Sequence, residues 1–159
     1  MLEAFEEYRA FALPSSALDE TLADIEAAME RGGALLVIDG ARDVASVRFE
    51  VPEDARADVE RAWTSDGATA RVSRTGSLTF ARLAVVPPAR GRGLGAVIIA
   101  RLEALAQSLG LGAVEITARS QQPDNRPYYE RLGYRVTGYG ERYGVPFLVT
   151  KMRKDVARV

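Results

Sequence analysis

The segment Arg90-Gly91-Arg92-Gly93-Leu94-Gly95 combines two ingredients of an anion cradle, glycines that let a ligand approach the main chain and arginines at its mouth. It follows an apolar run from Leu78 to Val86 and a Pro87-Pro88 break, and it opens a long stretch of helical spacing. The first amides of a helix lack intrahelical partners and carry partial positive charge, so a diphosphate suits that place. A plain helix start, its glycines serving only the turn, would need no ligand. Tyr128-Tyr129, just before Glu130-Arg131-Leu132-Gly133, reads by itself as aromatic packing of a short helix. A phenol with an ordinary pKa near 10 is protonated at neutral pH and can act as a general acid. Cysteine and histidine are both absent. That excludes a thiolate nucleophile, a disulfide framework and the usual zinc ligand sets, so no metal is expected. A general base must then be a carboxylate, a tyrosine, a lysine or a relayed water.

The elements that must position these residues are legible as periodicities. Leu2, Phe5, Tyr8 and Phe11 have loosely helical spacing, and Pro14-Ser15-Ser16 interrupts it. Thr21 with Asp24 reads as a capping pair for a helix carrying Leu22, Ile25 and Met29, and Gly32-Gly33 reads as its stop. Leu35 to Ile38 and Val44 to Val51 read as strands joined by an Asp39-Gly40 hairpin turn. Residues 52–76 read as an insertion, with a short helix from Pro52 to Trp63, a loop at Ser65-Asp66-Gly67 and a short extra strand around Val72. The run 78–86 is a strand, and 93–109 is a helix with Leu94, Ile98, Leu102, Leu105 and Leu109 on one face and Gly110 as its C-terminal stop. Strands are expected at 113–118, 134–139 and 147–152, with a short helix from Pro127 to Leu132 before the closing antiparallel pair. The 159 residues carry 47% hydrophobic and 27% charged residues and a net charge of −1, which fits one ordinary domain and lacks the basic excess that extended nucleic-acid binding requires. The acidic start has no apolar core of a signal peptide, and no apolar run approaches the roughly 20 residues of a membrane helix. A cytoplasmic protein with no membrane and no nucleic-acid partner is the expectation.

Three nucleotide readings compete for the glycine loop. A Walker loop needs Gly-Lys-Ser/Thr, and no lysine is present there. A dinucleotide fingerprint is formally met by Gly91, Gly93 and Ala96, but two prolines and Ala89 lengthen the strand-to-helix turn and only one βαβ unit is visible. For the third, LAVVPPARGRGLGAVIIARLEALAQSLG resembles motif A of the GNAT-superfamily N-acetyltransferases, whose Gln/Arg-x-x-Gly-x-Gly/Ala pattern is met by Arg90, Gly93 and Gly95. The stretch PDNRPYYERLGYRV resembles that family's Asn-x-x-x-Tyr-Glu-x-x-Gly-Phe/Tyr signature, and GVPFLVTKMRK resembles its closing strand. LDETLADIEAAMERGGALLVIDG resembles the second helix and following strand of small members. Two motifs in the right order and at the right distance are far more specific than either alone.

The resemblance implies a single GNAT domain over 1–159. Its fold is a mixed, mostly antiparallel sheet with helices on both faces and a V-shaped cleft between two parallel central strands, here 78–86 and 113–118. It implies acetyl-CoA as co-substrate, with pyrophosphate on Arg90, Gly91, Arg92, Gly93, Leu94, Gly95 and Ala96, and pantetheine along the backbone of Leu83 and Val85 and beside Asn125. Asn125 also reads as a helix cap, and neither role excludes the other. The implied chemistry is direct transfer of an acetyl group to a primary amine of a small molecule or peptide, with a strand N–H near Val85 for the oxyanion and Tyr129 as general acid. No base is identified; Glu115 on strand 113–118 is the candidate, and Glu50 lies near the end of an earlier strand. Arg48, Arg82 and Arg119 fall in strands, where ion pairs with Glu50 or Glu115 are the expectation, and an anionic acceptor the alternative if several face the cleft. Two departures stand out: the family's first strand has no counterpart before the opening helix, and the insertion at 52–76 is placed near the acceptor entrance. An unpaired edge on strand 34–38 invites pairing into a homodimer. A catalytically silent acyl-CoA sensor on the same fold is the rival to an enzyme.

Overall fold

A computed structural model of the chain describes residues 2–10, 15–64, 73–120, 123–142 and 145–157. Phe11, Pro14, Ser65 to Gly67 and Val72 lie outside them. The opening segment Leu2–Ala10 is 3-10 helix. Helix α1, Leu22–Glu30, starts on the expected capping box: the Asp24 amide donates to Thr21 Oγ1 at 3.2 Å, and the Thr21 amide donates to Asp24 Oδ2 at 2.9 Å. Strand β1, Gly32–Asp39, then begins on the glycine pair itself. The pair is therefore not only a stop. A Cβ on Gly32 would lie 2.2 Å from the Phe49 carbonyl oxygen, and one on Gly33 would lie 2.9 Å from the Phe49 ring, so only glycine lets this strand lie flat on its neighbour. Gly40, at φ 65°, turns the chain into β2, Arg42–Glu50.

A 3-10 turn over Glu53–Asp58 and helix α2, Val59–Thr64, form the described part of the insertion. They lie against the core, where Val59 and Ala62 pack on it. Trp63 meets the Phe49 ring edge-on at 6.1 Å, and Arg74 donates to the Leu109 carbonyl at 2.7 Å, which ties the insertion to the far end of the long helix. Strand β3, Leu78–Val85, a 3-10 turn over Pro87–Ala89, helix α3, Leu94–Ser108, and strand β4, Ala113–Arg119, follow. Helix α4, Arg126–Arg131, leads to β5, Arg135–Arg142, and β6, Val145–Asp155. The six strands lie in the order β1-β2-β3-β4-β6-β5, so the last strand inserts between β4 and β5.

The core lies between the sheet and α3. Ile98, Leu102, Leu105 and Leu109 are buried against Val47, Phe49, Leu78, Phe80, Val114, Ile116 and Met152. The other sheet face carries Arg48, Glu50, Thr79, Glu115 and Thr117, beneath α1 and the opening segment. Among the described strands only β3 and β4 run parallel, and their pairing covers just Leu78↔Val114, Thr79↔Glu115 and Phe80↔Ile116. Beyond Phe80, β3 keeps β2 as partner out to Val85, while β4 keeps β6 out to Arg119. The cause of the divergence is local. Arg82 has φ 57°, unusual for a residue with a side chain, and the β2–β3 register slips by one residue there. This bulge bends β3 away from β4 and leaves a gap about 16 Å long, five residues of strand at about 3.3 Å each.

Candidate active site

The gap opens into a cleft of about 920 Å³, a volume typical of ligand sites. The glycine loop follows the end of β3, beyond the residues that line this cleft. Gly91 and Gly93 have φ of 75° and 76°, and a Cβ at either would meet nothing within 4 Å. Both conformations cost a side-chain residue about 1–2 kcal/mol, and the space over them is open to a ligand. Gly93 sits at the cap position of α3, and the first intrahelical bond runs from the Val97 amide to its carbonyl at 3.1 Å. The amides of Leu94, Gly95 and Ala96 are therefore left without helical partners. Gly95 is held for a different reason: a Cβ there would lie 2.6 Å from Tyr128 Oη and 3.8 Å from a Leu83 methyl. The loop thus fits a diphosphate by its donors, its backbone conformation and its unfilled space.

Both loop arginines are engaged. Arg90 Nε donates to the Val85 carbonyl at 3.0 Å, Nη1 to Glu7 Oε2 at 2.9 Å and Nη2 to the Ala4 carbonyl at 3.2 Å. Arg92 Nη1 donates to Asp39 Oδ2 at 2.9 Å. The opening segment reaches the other arm of the cleft as well, where the Arg119 guanidinium lies 5.7 Å from the centre of the Tyr8 ring.

Tyr129 is buried at the base of the cleft, with its ring 6.2 Å from Phe80 and 5.1 Å from Tyr128. Burial pushes its phenol well above the ordinary range, with the neighbouring Tyr128 and Tyr8 adding to the effect, so it stays protonated throughout the neutral range. Asn125 occupies the cap of α4, yet its side chain makes no capping bond; Asp124 Oδ1 accepts from the Arg126 amide at 3.0 Å instead. Asn125 lines the cleft. Glu115 also lines the cleft, but at its closed end, level with Thr79, where Arg153 Nη1 donates to Glu115 Oε1 at 2.6 Å. Leu83 lies roughly 13 Å further along β3, at about 3.3 Å per residue.

The arginine pairings differ from the sequence expectation. Glu50 is taken by Arg31 at 2.8 Å and Glu115 by Arg153. Arg48 and Arg82 converge on Glu20 instead, Arg48 through Nη2 and Arg82 through Nε at 2.9 Å, and all three side chains line the cleft. Glu20 escapes sequence reading because it lies 28 residues from one partner and 62 from the other, just before a helix cap, with no local pattern linking it to the strands.

The family model for the acetyltransferase (GNAT) domain matches residues 64–156. No curated protein matches the sequence. Among solved structures, the ribosomal-protein-S18-alanine N-acetyltransferase from Escherichia coli superposes with a TM-score of 0.64 at 15% identity, over 98% of this chain and 87% of that one. Ard1 from Thermoplasma volcanium gives 0.63 at 14%, over 96% and 87%. An acetyltransferase from Bacillus subtilis, solved in complex with CoA, gives 0.60 at 14%, over 86% and 85%. The split parallel pair and the glycine loop that opens α3 define the acyl-CoA N-acyltransferase architecture. The chain belongs to the GNAT acetyltransferase family, and its mixed sheet has the GNAT fold. Among the described residues, no helix is long and apolar enough to cross a membrane.

Proposed function

We propose that the protein transfers an acetyl group from acetyl-CoA to a primary amine, directly and in a ternary complex. One observation carries this reading: β3, whose far half has no β4 partner, leads through a short turn into three amides without helical partners, preceded by two glycines with open space above them. In the proposed complex the amides of Leu94, Gly95 and Ala96 hold the pyrophosphate, and Arg90 exchanges Glu7 for a phosphate oxygen while Arg92 releases Asp39. The backbone of Leu83 and Val85 aligns the pantetheine, and the Asn125 amide supports it. Acetyl-CoA supplies the activated thioester. The Val85 N–H meets the developing oxyanion, and Tyr129 Oη gives its proton to the departing sulfur. Glu115, distant and ion-paired, is proposed to remove the amine proton only through water. With no cysteine in the chain, no thiol acyl-enzyme is invoked.

The test is release of free CoA thiol over a panel of amines, alongside calorimetry with acetyl-CoA. Thiol release that depends on amine supports the reading, whereas binding without release for every amine would make the protein a silent acyl-CoA sensor. The outer edge of β1, unpaired among the described residues and with Leu36 and Ile38 more than half exposed, fits pairing of two copies, which sedimentation tests.

A further inference from the structure

Arg48 on β2 and Arg82 on β3 come from neighbouring strands and meet on a single carboxylate oxygen, Glu20 Oε1. The arrangement is unlike the other ion pairs among the described residues. At Arg126, Nε and Nη2 both engage the Asp124 carboxylate, the two-pronged geometry that satisfies both partners. At Glu20, two guanidiniums share one oxygen. Arg48 Nη1 and Glu20 Oε2 are left buried with no partner, and Arg48 as a whole is 9% exposed. A buried donor and a buried acceptor left unmet are costly, and such atoms in a cleft call for a ligand. Glu20 belongs to neither strand; it immediately precedes the Thr21 cap of α1 and can withdraw without breaking the sheet. Arg82 is the bulge residue that starts the open edge of β3, next to Leu83, along which the thioester would be aligned.

We propose that Arg48 and Arg82 form an anion seat for the acceptor, that Glu20 occupies it as an internal stand-in, and that the acceptor is an amine carrying a carboxylate a few bonds from its nitrogen. The assignment rests on the acetyl-transfer reading of the same cleft. Carboxylate is chosen over phosphate because the seat already holds a carboxylate oxygen. When an acceptor carboxylate displaces Glu20, it offers both guanidiniums an oxygen, and the freed Glu20 faces the cationic amine end.

The full chain, saturated with CoA, is titrated by calorimetry with glycine, β-alanine, their amides and aminoethyl phosphate. Thiol release from acetyl-CoA is measured with the same compounds, with rates expressed per neutral amine. The expected result is a preference for the acids over their amides of about 10- to 100-fold, the worth of a charge-assisted pair. Arg48→Gln should abolish that preference, Arg48→Lys should keep part of it, and Glu20→Gln should tighten binding of the acids about tenfold by weakening the internal competitor. Folding of each variant is checked by circular dichroism, and Arg82→Gln replaces any Arg48 variant that fails to fold. Equal behaviour of acids and amides, no response to any of them, or an unchanged preference in the Arg48 and Arg82 variants would each overturn the anion seat. Tighter binding of aminoethyl phosphate than of β-alanine would overturn the choice of carboxylate. Acetyl-CoA titrated in the same series separates the two readings: binding with amides acetylated as fast as acids removes the seat alone, while no binding removes acetyl transfer itself.

Discussion

The two halves of the proposed site are built by different means. The wall expected to hold the coenzyme is consecutive chain: a strand, a short proline turn, two glycines with positive φ and the first amides of α3. Its donors are main-chain groups whose placement follows from helix geometry. The proposed acceptor seat is assembled instead from side chains that are distant in sequence: Glu20 before α1, Arg48 in β2 and Arg82 in the bulge of β3. The first wall can be recognised from a pattern of six residues, while the second exists only after the sheet and α1 have packed. In the proposed complex, the coenzyme would thus meet a site specified by backbone, and the acceptor one specified by scattered charges.

Breaking the backbone wall has the largest expected effect. Gly93→Asp imposes a side chain at φ 76° and puts a carboxylate among unpaired amides. The expected loss of acetyl-CoA affinity is about 100-fold, or about 2.7 kcal/mol, measured by calorimetry. Tyr129→Phe sharpens the contrast from the chemical side: kcat should fall about 100-fold while coenzyme affinity stays within twofold, because only the proton is removed. Equal loss in both would make Tyr129 a packing residue.

The buried phenols supply a pH prediction. Burial raises the pKa values of Tyr128, Tyr129 and Tyr134, and for Tyr134 the Glu103 carboxylate adds to the effect. In the unfolded chain these phenols ionise near 10 and in the folded chain they do not, so above that pH the unfolded state binds fewer protons. Their contribution to stability is complete below pH 10 and is lost as pH rises above it. Urea midpoints should fall between about pH 10 and 11, less steeply for Tyr129→Phe. In the same measurements kcat should show no alkaline fall from Tyr129 below pH 10. The smallest expected effect is on the frame of the side-chain wall. Thr21→Ala removes the capping box beside Glu20 and should cost about 1 kcal/mol, or roughly 2–4 °C in Tm by thermal melt.

What was legible in the sequence follows the same division. The α3 face, the Thr21 cap, the Asp39-Gly40 turn and the α4 start at Pro127 are local patterns, and each forms an element within a residue or two of its expected bounds. Gly32-Gly33 was legible only as a helix stop, because the contact that demands glycine comes from Phe49, on the next strand. The bulge at Arg82 had no local signal, since nothing short of the β2–β3 register singles out that arginine. The partners of Arg48 and Arg82 could not be read because candidate acids stand in several strands and the one chosen stands in none. The described insertion residues gave no sign that Arg74 would anchor them at the Leu109 end of α3.

Acetyl-CoA titrated calorimetrically into the full chain tests the central claim most directly. Saturable binding at one site per chain, lost in Gly93→Asp, is the predicted result. A folded protein that takes up neither acetyl-CoA nor CoA would contradict it.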